Sequence, residues 1–317
     1  MGGCPGGDEP PPEDRPRRRR DEVSHAHHPP RRAEHRPVAV VGGGALGRRI
    51  ALVFASCGGH VRVYEVDAAA GRAAVEFVDA ELPALVARRP GASAGTVEAT
   101  DDLATALHDA WLVVEAVPEH LELKRTVLAE IDRRAAPDAI IATNSSSFPS
   151  SRLIDDVLRP ERVLNMHFFR PPEQAAVELM SDGHTDRAVI DLLLGALPAF
   201  GLRPFEARQE SVGFVFNRIW AAVKREALTV VAEGVSTPAE VDELFRLTVG
   251  SPVGVFQAMD QVGLDVVLDI EEHYVAEDPT RSQAPLDLLR RYVDAGHLGV
   301  KTGSGFYDHG TGAPAIR

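Results

Sequence analysis

The hexapeptide Gly42-Gly43-Gly44-Ala45-Leu46-Gly47 constrains the fold more than any other segment of the chain. It matches G-x-G-x-x-G, follows the apolar run Val38–Val41, and opens a helical pattern in which Ala45, Leu46, Ile50, Val53 and Phe54 share one face. Among 27 glycines the pattern alone is weak. Its place between a strand and a helix gives it physical meaning. Gly42 permits a tight turn, Gly44 lets the backbone approach a pyrophosphate, and Gly47 lets helix and strand pack closely. Phosphates then lie at the helix N-terminus, where unpaired N–H groups and the dipole favour anions. With Ala45 and Leu46, these glycines form the expected cofactor cradle. The next predicted strand, Val61–Glu65, ends on an acid about 20 residues past the fingerprint, where a ribose diol would be held. A carboxylate there accepts hydrogen bonds from a ribose diol and repels a 2′-phosphate, so Glu65 points to NAD over NADP. Asp67 is its rival, and an exposed strand end is the plain alternative.

Strand and helix patterns keep alternating. Helices are expected from Ala68 to about Arg88, with Pro83 as a kink or break, and over Leu121–Arg134. Strands are expected at Thr96–Thr100, Trp111–Glu115 and Ile140–Thr143. This order implies a Rossmann-type α/β domain, a mostly parallel sheet with helices on both faces, over about 37–209. After Gln209 the character changes. Val212–Glu233 reads as one helix closed by Gly234, and Thr237–Pro238 as a cap with proline at the first helical position. Val253–Gln261, Asp265–Ala276 and Pro285–Ala295 follow, with only Phe306–Tyr307 strand-like. Residues 210–317 are therefore expected to form an all-α domain.

Residues 1–36 differ from both. Pro10–Pro12, Arg17–Arg20 and the histidines His25, His27 and His28 leave almost no aliphatic side chain to bury, so a disordered tail is expected. It lacks the apolar stretch of a secretory signal, and Asp8, Glu9, Glu13 and Asp14 argue against a transit peptide. The formal net charge of -13 makes nucleic acid a poor partner. No apolar run approaches the ~18 residues of a membrane span. Cys4 and Cys57 cannot build a disulfide framework or a zinc site, so no metal is expected and a reducing, cytoplasmic setting fits.

The chemistry is sought in Val163-Leu164-Asn165-Met166-His167-Phe168-Phe169-Arg170-Pro171, which sets a histidine in an apolar strand. Glu178 lies eleven residues on, inside the apolar stretch 175–180. Each group alone is more often structural than catalytic. Buried ionisable groups need partners, however, and two adjacent strands could supply this pair.

At these residues the chain resembles the L-3-hydroxyacyl-CoA dehydrogenase family, which includes bacterial 3-hydroxybutyryl-CoA dehydrogenases. The resemblance covers about 38–309 and rests on ordered blocks: the fingerprint, Glu115-Ala116-Val117-Pro118-Glu119, Thr143-Asn144-Ser145-Ser146-Ser147, His167-Phe168-Phe169, Gly213-Phe214-Val215-Phe216-Asn217-Arg218, Gly250-Ser251-Pro252-Val253-Gly254 and Lys301-Thr302-Gly303-Ser304-Gly305-Phe306-Tyr307. It implies NAD-dependent oxidation of a 3-hydroxyacyl thioester, or the reverse, on coenzyme A or an acyl carrier protein. It also implies His167 as the acid–base, Glu178 as its carboxylate partner, and Ser146 and Asn217 as holders of the substrate oxygen. Glu119 and Asn144 fall on the cofactor side. A homodimer through the helical domain is implied as well.

Two departures bear on substrate. Arg170 precedes Pro171 where the family has asparagine, and the His-to-Glu spacing is one residue shorter than usual. Arginine is larger, always charged and suited to carboxylate or phosphate; a surface salt bridge is its plain reading. Between Glu65 and Val97 the family carries a longer helical hairpin that helps hold coenzyme A. Here the stretch is short and lacks lysine, with Arg88 and Arg89 as candidate phosphate ligands or plain surface. A free β-hydroxy acid or sugar acid gripped by Arg170 is thus an alternative. Val117-Pro118-Glu119 and Leu121-Glu122-Leu123-Lys124-Arg125 also resemble the branch acting on sugar acids. A non-catalytic NAD-binding structural protein is a third reading, against which intact Ser146, His167, Glu178 and Asn217 argue.

Overall fold

A computed structural model of the chain describes residue 30 and residues 33–277 and 280–310. Most of the expected tail, with its arginine run and His25, His27 and His28, lies outside the described residues. Its last residues do not behave as a tail. Ala33–His35 forms a 3-10 turn, and the Arg36 guanidinium binds the Asp138 carboxylate at 2.6 and 3.0 Å and the carbonyls of Asp109 and Ala110. Local composition could not show these partners, which are 73 to 102 residues away.

Among the described residues the eight strands are β1 (Val38–Val41), β2 (His60–Tyr64), β3 (Thr96–Thr100), β4 (Leu112–Glu115), β5 (Ile140–Thr143), β6 (Val163–Phe168), β7 (Ala176–Met180) and β8 (Arg203–Ala207). They form one sheet in the order β3-β2-β1-β4-β5-β6-β7-β8. Every neighbouring pair is parallel except β6 and β7. Strands β1, β4 and β5 are buried along their whole length, which is why they read as unbroken apolar runs. The chain changes direction across the sheet at β1, which pairs with both β2 and β4. The crevice beyond the carboxyl ends of these strands is where such sheets bind ligands.

Helices α1 (Gly47–Ala55), α2 (Ala68–Arg88), α3 (Leu103–Leu107), α4 (Leu121–Arg134) and α5 (Arg187–Ala196) cover the sheet. One core gathers Ile50, Phe54, Val78 and Leu193, and the other Leu107, Leu128 and Ile131. The proline break expected in α2 is absent, and the helix runs unbroken for 21 residues with Pro83 inside it. Pro83 and Asp79, whose carbonyl loses its helical partner, are both exposed, so solvent can satisfy the orphaned group.

The second domain holds α6 (Phe216–Ala232), α7 (Pro238–Val249), α8 (Val255–Val262), α9 (Leu264–Glu277) and α10 (Ala284–Asp294), packed around Leu228, Phe256, Leu264 and Leu289. A capping box between Thr237 and Glu240 starts α7 with Pro238 in its first turn; such a cap contributes about 1 kcal/mol. Helix α6 begins four residues later than the apolar pattern suggests. Gly213 (φ +77°) and Phe214 (φ +54°) adopt the left-handed region, which no right-handed helix can contain. Phe306 and Tyr307, expected as a strand, instead donate both N–H groups to the buried Asp260 carboxylate. Among the described residues no helix is long and apolar enough to cross a membrane, and no three His, Cys, Asp or Glu side chains gather to hold a metal.

Candidate functional site

The glycine turn is closed where packing requires it and open where a ligand would approach. A Cβ on Gly47 would lie 1.9 Å from the Gly42 carbonyl oxygen, and one on Gly42 (φ +110°) would lie 2.7 Å from the Ala116 carbonyl oxygen. A Cβ on Gly44 would meet nothing within 4 Å. Ala45 is exposed in the turn, and Leu46 is the N-cap residue of α1. This geometry fits a dinucleotide phosphate at the α1 N-terminus. Glu65 stands at the end of β2 and accepts hydrogen bonds from Gly43 N at 2.8 Å and Asp67 N at 3.2 Å. Asp67 caps α2 by accepting from Ala69 N and Ala70 N. Glu65, not Asp67, therefore sits against the glycine loop.

Beside the turn is a buried ionic network that sequence reasoning missed. The register places Val41, Glu115 and Thr143 side by side at the ends of β1, β4 and β5. Glu115 accepts from Lys124 Nζ at 2.9 Å, Val117 N at 2.8 Å and Thr143 Oγ1 at 2.6 Å. Lys124, on α4, is itself buried and reaches Glu119 at 3.2 Å. Burial pushes the Glu119 carboxyl up, but the Lys124 ammonium and donors from Ser145 and Ser147 outweigh it and hold it below the usual carboxylate range. Glu115 carries two signals in the sequence: it ends an apolar strand, and it opens one of the family blocks. Lys124 had another: it is one of only three lysines in the chain.

Glu119 shapes the loop that carries Ser146. It accepts from Ser145 Oγ and from Ser147 N, on either side of that serine. The buried Asn165 clamps the same loop, accepting from Ser150 N and donating to the Phe148 carbonyl at 3.0 Å. Asn144 does not stand free: its Oδ1 accepts from Phe168 N at 2.9 Å, which ties the loop to β6. Ser146 is half-buried, and its hydroxyl hydrogen-bonds to none of the described residues.

His167 and Glu178 lie directly opposite each other in the antiparallel β6–β7 pair, so both side chains leave the same face of the sheet. His167 Nδ1 is 3.1 Å from Glu178 Oε2. The other carboxylate oxygen accepts from Val215 N at 3.0 Å and Phe216 N at 2.9 Å, at the start of α6. Burial pushes the Glu178 carboxyl up, but His167 and these two N–H donors outweigh it and hold it below its ordinary value. An ionised carboxylate only accepts, so Nδ1 carries the proton of the neutral ring and Nε2 keeps a lone pair. None of the described residues hydrogen-bonds Nε2. Phe214 stacks on the ring at 4.9 Å and 24°, and Phe169 leans on it at 4.7 Å and 59°. Asn217 follows directly in the first turn of α6, half-buried. A cleft of about 510 Å³ opens along this junction, lined by Ala207, Phe214, Val215, Arg218 and Ile219 among others.

Arg170 is exposed, and no described residue accepts a hydrogen bond from its guanidinium. The loop beyond it is held by Arg49 of α1, which donates to the Pro171 carbonyl and pairs with Glu173 at 2.7 Å. Arg89 is no phosphate ligand in waiting. It donates to the carbonyls of Phe200 and Ser56 and to Cys57 Sγ. Arg88 folds back onto the Ala84 carbonyl.

Comparison with known proteins agrees with this geometry. Residues 37–210 match the model for the 3-hydroxyacyl-CoA dehydrogenase NAD binding domain, and residues 213–309 match that for the 3-hydroxyacyl-CoA dehydrogenase C-terminal domain. The chain is 32% identical over 278 residues to 3-hydroxybutyryl-CoA dehydrogenase of Clostridioides difficile, covering 86% of this chain and 99% of that one. It is 30% identical to 5-formyl-3-hydroxy-2-methylpyridine 4-carboxylate 5-dehydrogenase of Mesorhizobium japonicum, with 86% and 90% covered. It superposes on the crystal structure of (S)-3-hydroxybutyryl-CoA dehydrogenase from Ralstonia eutropha with a TM-score of 0.78 at 30% identity, with 87% and 100% covered.

Proposed function

The chain belongs to the 3-hydroxyacyl-CoA dehydrogenase family of NAD-dependent oxidoreductases, and from that premise we propose that it interconverts a 3-hydroxyacyl-CoA thioester and its 3-oxo form, with His167 as general acid–base. The observation that carries this reading is the His167–Glu178 pair, with Nε2 hydrogen-bonded to none of the described residues. The glycine turn and Glu65 would hold NAD, which would supply the hydride-transfer chemistry when bound. The substrate hydroxyl gives its proton to Nε2, and in reduction Nε2 returns it. The ring becomes imidazolium beside a carboxylate that stays ionised, which stabilises the charge and preserves the ring orientation. The Ser146 hydroxyl and the Asn217 amide supply neutral donors for the oxygen as negative charge develops on it.

A second reading, a free hydroxy acid held by Arg170, is favoured by that side chain's exposed guanidinium, which donates no hydrogen bond to a described residue and acts on Glu173 through its charge alone. The Mesorhizobium japonicum relative, named for a pyridine carboxylate, supports it as well. An acyl-carrier-protein thioester is the third substrate class. NADH-dependent reduction of acetoacetyl-CoA, its carrier-protein counterpart and free acetoacetate separates them. The leading reading expects the highest kcat/KM on coenzyme A and little change in Arg170→Gln. The second expects preference for the free acid and a loss of about 10–100-fold in Arg170→Gln, the worth of a charge-assisted hydrogen bond. Binding of NADH with no turnover on any of them would leave the non-catalytic reading.

We further propose a homodimer through the helical domain. Ile219, Leu244, Leu247, Val249 and Val266 are exposed apolar side chains of this domain, which a second copy could cover. Sedimentation velocity should give a species of about twice the 34.2 kDa chain mass; a monomer at micromolar concentration would contradict it.

A further inference from the structure

Among the described residues only Asp109 and Phe214 combine a side chain with a positive φ. The left-handed region is unfavourable for a bulky residue and persists only where the surroundings impose it. At Phe214 they do. Gly213 turns first at φ +77°, Phe214 N donates to the Ser211 carbonyl at 3.0 Å, and the ring is buried to 2% exposure. The same turn presents the ring face to the His167 imidazole at 4.9 Å and 24°. The next two N–H groups, of Val215 and Phe216, then reach Glu178.

A single Nδ1–H···O bond fixes one point of the imidazole, about which the ring plane can still swing. A near-parallel aromatic ring supplies the missing constraint. Its negative face also favours the charged form of the imidazole, as aromatic faces do for cations. Phe169 braces the other approach and itself meets Phe216 edge to face at 5.3 Å. The charged group recorded against the ring is Glu178, from β7.

We propose that Phe214 is a positioning residue for the acid–base step: the left-handed turn between the two domains presses its ring on His167, fixing the imidazole plane and supporting its charged form. Three consecutive residues of one interdomain turn thereby tie both halves of the His–Glu pair to the seating of the helical domain on the sheet. The proposal rests on His167 acting as the base.

The test compares wild type, Phe214→Leu and Phe214→Tyr, with 15N-histidine NMR on the cofactor-free enzyme beside steady-state kinetics. His167→Gln identifies the His167 signals. Leucine keeps the bulk and removes the aromatic face, so the His167 ring should lose its fixed plane. Its preference for the Nδ1–H tautomer should weaken. Turnover should fall about tenfold, with the substrate KM and NADH affinity unchanged. Tyrosine should restore all of these. A leucine variant with wild-type tautomer preference and kcat would overturn the proposal. So would a variant whose loss is shared equally by NADH binding and thermal stability and is not rescued by tyrosine, because Phe214 would then be only a core residue. If wild type proves inactive on every thioester while the NMR behaviour is as expected, the substrate reading falls and the positioning role stands.

Discussion

Lys124→Met should lower the unfolding free energy by about 3–5 kcal/mol, the range for removing one partner of a buried ion pair. Lys124 and Glu115 are both essentially inaccessible, at 1% and 0% exposure. Solvent screening therefore does not shrink the effect as it would for a surface pair. The substitution keeps the length and apolar volume of the stem but strands the Glu115 carboxylate, leaving it only the Val117 N–H and the Thr143 hydroxyl. A domain of this size loses roughly 2–4 °C per kcal/mol, so the melting temperature should fall by about 6–20 °C. Glu119 loses the same ammonium, so the Ser146 loop should loosen and the substrate KM should rise. The double variant Glu115→Gln/Lys124→Met, which removes both charges, should recover much of the stability. Thermal melts of the three proteins decide it. A single variant within about 1 kcal/mol of wild type, the size of a surface pair, would mean that the network is not dry.

Much of this arrangement was legible in the residues, for reasons that can be named. Strands buried on both faces are apolar throughout, so β1, β4 and β5 stand out, and the glycine fingerprint between β1 and α1 identifies the turn. His167 and Glu178 stand out as a pair because each is an ionisable group in an apolar stretch. Their β6–β7 register supplies the contact. Ser146, Asn217 and Asn144 came from the resemblance alone. The structure gives Asn144 a tether to Phe168 N that no pattern indicates.

Other features were hidden because their cause is distant in sequence. Strand β8 is exposed on alternate residues at the sheet edge and shows no apolar run. Helix α3 spans only five residues, too short to show a helical period. Val212–Phe216 reads as the start of a helix by hydrophobicity. The demand of Glu178 for the N–H groups of Val215 and Phe216 goes with a start at Phe216 instead. Arg89 resembled a surface cation because its three acceptors, at Ser56, Cys57 and Phe200, come from other elements. Phe214 is one of 12 phenylalanines, and nothing in its neighbours announces a left-handed backbone.

The central claim is that His167 moves the proton. It is tested most directly by NADH oxidation at 340 nm with acetoacetyl-CoA, wild type beside His167→Ala. A positioned general acid–base contributes about 10²–10⁴-fold, so kcat should fall by that factor in the variant. The glycine turn and Glu65, which hold the cofactor in this account, make no recorded contact with His167, so NADH should bind the variant as it binds wild type. Wild-type turnover that collapses in the variant with NADH binding intact is the predicted result. A variant that keeps turnover within a few-fold of an active wild type would contradict the account.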